Sequence, residues 1–277
     1  MKAIRFIVIL ASMLVVGCAA SQSSKPVTMP SIDLIKIDTR FGVTQKFLLI
    51  KPENPVAAAV LLDGGTGKLN LSKFYGKPTI GKSKSGFLVR NSDFFAKQGL
   101  IVALMDAPSD MKEIGLYGAN IKHAQDIKAV ASYLKSETNV PVWLVGMSGG
   151  TFAAPIGAIN IQDGIDGLVL FSSVTRCVEG CPEYPPYKNI LDMDLKKITV
   201  PTLIVYHEND GCKETPPSDA PKIQKALVNS PKVEVKYFKG GKKPKSKPCG
   251  PLSAHGYYGI DKQVITEAAS FIKSNSN

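Results

Sequence analysis

The segment Gly146-Met147-Ser148-Gly149-Gly150 is the place in this sequence best suited to hold a nucleophile. It follows the short, continuously apolar run Pro141 to Val145 and runs into an Ala-rich helical stretch, so G-x-S-x-G falls on a strand-to-helix turn. A serine on such a turn projects its hydroxyl clear of the sheet, and glycines on both flanks let the two backbones approach closely. The hydroxyl alone is a weak nucleophile; it needs a base to take its proton and a third group to orient that base. Of the three histidines, His123 lies in a helical stretch upstream and reads as a packed or surface residue. His207 closes the apolar strand Thr202 to Tyr206 and has the wrong chain order for the base. His255, in the loop Ala254-His255-Gly256 before the last helix, is the candidate base, and Asp210, in His207-Glu208-Asn209-Asp210-Gly211, is the candidate acid. Ser148, Asp210, His255 is the nucleophile, acid, base order of one serine-hydrolase class.

Gly76-Lys77-Pro78-Thr79-Ile80-Gly81-Lys82-Ser83 matches G-x-x-x-x-G-K-[ST], the pattern of a phosphate-binding loop. Such a loop must leave a buried strand, and Asn70 to Tyr75 has too little apolar continuity to be one, so the match is rejected. Asp106 and Asp110 read as loop residues at a strand's carboxyl end with a possible place on the pocket wall. Tyr257 and Tyr258, beside the candidate base, read as packing under the last helix, with a substrate wall as the alternative.

The elements that must position these residues alternate as strand and helix, which indicates an open, largely parallel sheet covered on both faces. Strands are expected near Asp33–Ile37, Thr44–Lys51, Ala57–Asp63, Leu100–Asp106, Pro141–Met147, Gly167–Ser172, Thr202–His207 and Lys232–Phe238, the first two as a hairpin. Helices are expected over Arg90–Gln98, Ala119–Ser136, Gly149–Ile161, Asp219–Asn229 and Lys262–Ser274. With 277 residues, 44% hydrophobic and 21% charged, and no linker cutting the chain in half, this is one α/β domain over 32–277. Collagen, coiled coil and polytopic membrane protein are excluded by the same arithmetic.

The first apolar segment stands apart from the domain. Lys2 and Arg5 precede an apolar run from Phe6 to Val16, which is the layout of a secretory signal peptide and too short to span a bilayer. The run ends in Val15-Val16-Gly17-Cys18, which resembles the lipobox of bacterial lipoproteins. The resemblance implies a signal peptide over 1–17, lipid attachment at Cys18, a polar tether over 18–31 and a periplasm-facing protein of the cell envelope, with Ala19 fitting outer-membrane sorting. An ordinary cleaved signal, with Cys18 incidental, is the alternative. Setting Cys18 aside leaves Cys177, Cys181, Cys212 and Cys249, an even number suited to two disulfides in an oxidising compartment, with three pairings open. Zinc is disfavoured, because no pair has the spacing of a structural site and no histidine lies beside them. Removing Lys2 and Arg5 with the leader leaves +9 of the formal +11 charge, much of it in the stretches Lys77 to Lys84 and Lys239 to Lys247. Arginine and aromatic residues are not interleaved with these lysines, so nucleic acid is not an expected partner.

From Ile32 to Ile272 the chain resembles the α/β-hydrolase superfamily, on the elbow Gly146 to Gly150, the acid-bearing segment Pro201 to Asp210 and His255-Gly256. The resemblance implies a central sheet of about eight strands, mostly parallel, with helices on both faces. It also implies an oxyanion hole made by the backbone N–H groups of Gly149 and Gly65, the latter in Leu62-Asp63-Gly64-Gly65-Thr66-Gly67. Many members have His-Gly where this chain has Asp63-Gly64. In this setting a Cys212–Cys249 bond would tie the loop of Asp210 to the loop of His255, and Thr175 to Asp192 would occupy the position of a small lid. The expected activity is cleavage of a carboxylic ester, or an amide or thioester, through an acyl-enzyme, with a small acyl substrate and no cofactor. A non-catalytic envelope lipoprotein that uses the fold for binding is the alternative.

Overall fold

The structure, a computed structural model, describes residues 30–111, 120–161, 163–178 and 187–276. The expected leader at 1–17, Cys18, nearly all of the 18–31 tether, Cys181 and the middle of the Thr175–Asp192 segment lie outside the described residues.

The chain opens with β1 (Ser31–Arg40), which takes up the last residue of the expected tether, and turns through Phe41-Gly42 into β2 (Val43–Lys51). There follow β3 (Ala57–Leu62), a small hairpin of β4 (Leu71–Phe74) and β5 (Lys77–Ile80), two short helices α1 (Phe87–Arg90) and α2 (Ser92–Lys97), β6 (Leu100–Met105) and α3 (Ile121–Glu137). The second half contains β7 (Val142–Met147), α4 (Gly150–Asn160), β8 (Gly167–Phe171), β9 (Thr202–His207), α5 (Ala220–Ala226), β10 (Val233–Phe238) and α6 (Asp261–Ser274). Eight strands form one sheet in the order β1-β2-β6-β3-β7-β8-β9-β10. The β1–β2 and β2–β6 pairs are antiparallel and every other neighbouring pair is parallel.

Burial on both faces explains the continuous apolar runs of the central strands. In β3, Ala58, Val60 and Leu62 face the layer formed by α3, α4 and α5, while Ala57, Ala59 and Leu61 face α1, α2 and α6. In α3, Ile127, Val130, Ala131 and Leu134 recur at helical spacing and are buried, and the Asn120 side chain caps its first turn by accepting from the Lys122 N–H at 2.9 Å. Removing a side chain such as Leu134 from water contributes roughly 1.5–3 kcal/mol, so this stripe fixes α3 on the sheet.

The expected helix from Arg90 to Gln98 is instead two short helices, broken at Asn91 (φ −110°), whose side-chain amide donates to the Phe87 carbonyl. The hairpin β4–β5 was not expected. Its turn, Tyr75-Gly76, leads into the phosphate-loop match, and that context is strand-to-strand rather than strand-to-helix. Among the described residues, no helix is long and apolar enough to cross a membrane.

The parallel strands β3, β7, β8 and β9 all point their carboxyl ends to one edge of the sheet. That edge is where open α/β sheets place their sites.

Candidate active site

The elbow is built by contacts that leave no room for side chains. Ser148 links β7 to α4 with φ +50°, a left-handed conformation that costs a non-glycine residue on the order of 1–3 kcal/mol unless its surroundings enforce it. Two hydrogen bonds enforce it: the Ser148 N–H donates to the Phe171 carbonyl at 3.0 Å, and the Thr151 hydroxyl donates to the Ser148 carbonyl at 2.5 Å. A methyl group at Gly150 would lie 1.9 Å from the Leu62 carbonyl oxygen, and one at Gly146 would lie 2.6 Å from the Gly150 carbonyl oxygen. Strand, turn and helix therefore close on one another only because these two positions lack a Cβ.

The loop after β3 packs against this elbow, as the pairing of Leu62 with Gly146 in the sheet requires. A methyl group at Gly149 would lie 2.9 Å from the carbonyl oxygen and 3.4 Å from the nitrogen of Gly65, so the two expected oxyanion donors are neighbours. Among the described residues, neither the Gly65 nor the Gly149 N–H has an acceptor.

Asp210 and His255 come together from different loops. His255 Nδ1 lies 2.9 Å from Asp210 Oδ2, with the His255 side chain 2% exposed and that of Asp210 fully buried. The other carboxylate oxygen accepts the Cys212 N–H at 2.9 Å. The Thr215 hydroxyl donates to Asp210 Oδ2 at 2.9 Å and lies 3.1 Å from His255 Nδ1. With Nδ1–H given to Asp210, Nε2 is left as an acceptor, the state that a general base requires. Ser148 and His255 line one cavity of about 220 Å3. They are not hydrogen-bonded to each other.

The backbone of His255 is held as well. Ser172 Oγ lies 3.0 Å from both the His255 carbonyl and the Tyr257 hydroxyl, and that hydroxyl donates to the Val205 carbonyl at 2.8 Å. Tyr257, packed against Phe87, Phe171 and His207, is therefore core rather than a substrate wall, and burial pushes its phenol well above the ordinary range. Tyr258 lies under the ammonium of Lys245. Cys212 and Cys249 are joined in a disulfide, and Cys249 also lines the Ser148 cavity. Cys177 is disulfide-bonded as well; Cys181 lies outside the described residues.

The remaining candidates are elsewhere. His207 bridges from β9 to the Gly240 carbonyl at 2.9 Å, and His123 is buried 3.6 Å from the Asp126 carboxylate. Neither Asp106 nor Asp110 reaches the Ser148 cavity: Asp106 accepts the Leu69 and Leu71 N–H groups at 2.7 and 2.8 Å, and Asp110 pairs with Arg40.

Three contributors were not foreseen. Thr215 has no motif of its own, and only its five-residue spacing from Asp210 hinted at contact. Asp63, noted only as a departure from His-Gly, lines the cavity, is 6% exposed and accepts the Leu88 N–H at 3.1 Å. Desolvation raises its carboxyl to about 6. Arg90 joins the two walls of the cavity: its guanidinium donates to the carbonyls of Ser85 on one wall and Pro251 on the other, and also to the Gly256 carbonyl and Asp261.

This sheet order, elbow and late acid and base loops are those of the α/β-hydrolase fold, and the chain has that fold. It is similar to an esterase from Pyrococcus furiosus (TM-score 0.61, 14% identity, 90% of this chain and 92% of that one) and to a dienelactone hydrolase from Anabaena variabilis (TM-score 0.57, 16% identity, 90% and 100%). A third likeness is to Est1E from Butyrivibrio proteoclasticus with ferulic acid bound (TM-score 0.57, 16% identity, 87% and 98%). No protein-family model and no curated protein sequence matches the chain.

Proposed function

We propose that this chain is a serine hydrolase that cleaves carboxylic esters through an acyl-enzyme. The observation that carries the reading is the convergence of Ser148, held at φ +50°, on the cavity that His255 lines, with His255 in turn bonded to Asp210. Ser148 Oγ attacks the ester carbonyl carbon while its proton passes to His255 Nε2. The carbonyl oxygen becomes an oxyanion held by the Gly65 and Gly149 N–H groups, each such donor lowering the barrier by about 3–4 kcal/mol in related chemistry. The tetrahedral adduct then expels the alcohol, which takes the proton from His255. Water attacks the acyl-Ser148 ester with His255 again as base, releasing the acid and restoring the serine. Asp210 keeps the imidazole in the required tautomer throughout.

Labelling with a fluorophosphonate tests this reading. A stoichiometric adduct located on Ser148 by peptide mass spectrometry, lost in Ser148→Ala and suppressed in His255→Ala, is expected. A folded protein that takes no label would return the chain to a non-catalytic binding role.

Export and lipid anchoring at Cys18 belong to the same proposal. The leader-like composition of 1–17 supports them, and the Cys212–Cys249 disulfide suits an oxidising compartment. Incorporation of labelled palmitate that Cys18→Ala abolishes is the expected result.

A further inference from the structure

One carboxylate oxygen in the wall of the Ser148 cavity has no donor. Asp63 lines that cavity and is 6% exposed. Its Oδ1 accepts the Leu88 N–H at 3.1 Å, and among the described residues no donor stands in hydrogen-bonding geometry to Oδ2. Oδ2 is not sealed off either: the sealed, unpartnered side-chain atoms of the described residues are those of Gln45, His123 and Ser173. It lies against Gly86, another lining residue, where a methyl group would be 2.0 Å away, so only the lack of a side chain there leaves room for the carboxylate. Gly64, the residue after Asp63, lies against the nucleophile: a methyl group there would be 3.0 Å from Ser148 Cβ and 3.7 Å from its Oγ.

Neighbouring charges do not serve this oxygen. Among the described residues no Lys or Arg lines the cavity, and His255 is the other titratable group that does. The cation that acts on Asp63, Arg90, commits its N–H groups to the Ser85, Pro251 and Gly256 carbonyls and to Asp261. The Gly64 and Val89 N–H groups also favour the ionised form, but desolvation outweighs them and leaves the carboxyl at about 6. A buried carboxylate with one oxygen unserved is costly, and a ligand that brings the missing donor recovers that cost on binding.

We infer that Asp63 selects the substrate: the cavity takes esters whose acyl chain carries a hydrogen-bond donor, a hydroxyl or an ammonium group, close to the scissile carbonyl. The inference rests on the ester-hydrolase reading above and names its substrate class. In that reading the carbonyl oxygen faces the Gly65 and Gly149 N–H groups and the leaving oxygen faces His255. The acyl chain is then what remains to meet the wall of Asp63 and Gly86. An ionised carboxylate only accepts, which sets a donor apart from a methyl group of the same size.

Three p-nitrophenyl esters of one shape test this, each corrected for spontaneous hydrolysis: the 3-hydroxybutyrate, the 3-aminobutyrate in its ammonium form, and the 3-methylbutyrate, which has a methyl group in place of the donor. At about pH 7.5 the better of the two donor esters is expected to exceed the 3-methylbutyrate in kcat/KM by about ten- to a hundredfold, and which of them leads tells hydroxyl from ammonium. Asp63→Asn, whose oxygen stays with the Leu88 N–H, turns an NH2 group towards Gly86 and is expected to bring that ratio near one. Gly86→Ala keeps the charge but displaces Oδ2, and should lower the ratio too, which serves if Asp63→Asn does not fold. A lead of the ammonium ester must also shrink at about pH 5, where Asp63 holds its proton; His255 acts on all three esters alike and cancels from the ratio. A ratio near one in the parent, a ratio that both variants leave in place, or an ammonium lead unchanged at about pH 5 overturns the inference. So does an Asp63→Asn protein that loses all three esters equally, because Asp63 would then support the oxyanion loop instead of meeting the substrate. If Ser148 of the parent takes the fluorophosphonate in any of these cases, the hydrolase reading stands and only the substrate class falls. Absence of both labelling and turnover removes the hydrolase reading too.

Discussion

The Cys212 N–H donates to Asp210 Oδ1 at 2.9 Å, so the residue that anchors the disulfide also orients the acid. Its partner Cys249 stands on the loop leading to His255, and the covalent link holds the two loops across a sequence separation of 37. Closing such a loop restricts the unfolded chain by about 4 kcal/mol in a chain-entropy account. Cys212→Ala/Cys249→Ala is expected to lower the melting temperature. The initial rate of fluorophosphonate labelling should fall further than the folded fraction does. Labelling that tracks the folded fraction would make the bond a general brace with no bearing on the site.

Thr215 touches both members of the acid–base pair. Thr215→Val keeps the shape and removes the hydroxyl, leaving Asp210 Oδ2 short of a donor. Losing a hydrogen bond to a charged group costs about 1.5–3 kcal/mol, or roughly ten- to a hundredfold in rate. We expect kcat to fall by that factor with KM little changed, and Thr215→Ser to restore most of it. A rise in KM alone would show that Thr215 acts on the cavity instead.

Asp63 gives a pH dependence of defined sign. Burial raises its carboxyl from 3.8 to about 6, against the opposing effect of the Leu88 and Gly64 N–H groups. The folded protein therefore keeps a proton that the unfolded chain has released. The cost of the buried charge is absent below about pH 4, grows between about pH 4 and pH 6, and is complete above that, reaching about 3 kcal/mol. Asp63→Asn removes the charge and keeps an acceptor for Leu88. Thermal unfolding should show it more stable than the parent at about pH 8, with the gain lost at about pH 4. Equal effects at both pH values would exclude this account.

Gly150 admits no side chain, because a methyl group there would lie 1.9 Å from the Leu62 carbonyl oxygen. Gly150→Ala is expected to destabilise by more than about 4 kcal/mol by forcing β3 and α4 apart. Denaturant titration measures the loss, and a soluble variant near parental stability would show that the elbow can open.

Legibility in the sequence followed burial. Strands such as β3, β7 and β9 are apolar on both faces, so Ala57–Leu62, Val142–Met147 and Thr202–His207 were expected to within a residue or so. The hairpin β4–β5 was missed because Leu71-Ser72-Lys73-Phe74 buries only Leu71 and leaves no apolar alternation to detect. At the site, Ser148, Asp210 and His255 stood out by residue type, turn context and chain order, and the structure brings Asp210 to His255 and His255 to the cavity of Ser148. Asp63, Arg90 and Thr215 did not stand out. Their importance arises from three-dimensional proximity: Arg90 reaches Gly256 across 166 residues of chain, a contact that no local pattern encodes.

The order of the elements along the chain also sets the sequence in which the cell receives these parts. Ser148 and the Gly65 and Gly149 donors sit around the neighbouring central strands β3 and β7, while Asp210 and His255 arrive on loops after β9 and before α6. The ribosome thus releases the Ser148 hydroxyl well before Asp210 and His255. On the serine-hydrolase reading, a nascent chain that has not yet emerged past His255 carries Ser148 without its base, so acyl transfer has to wait for that loop.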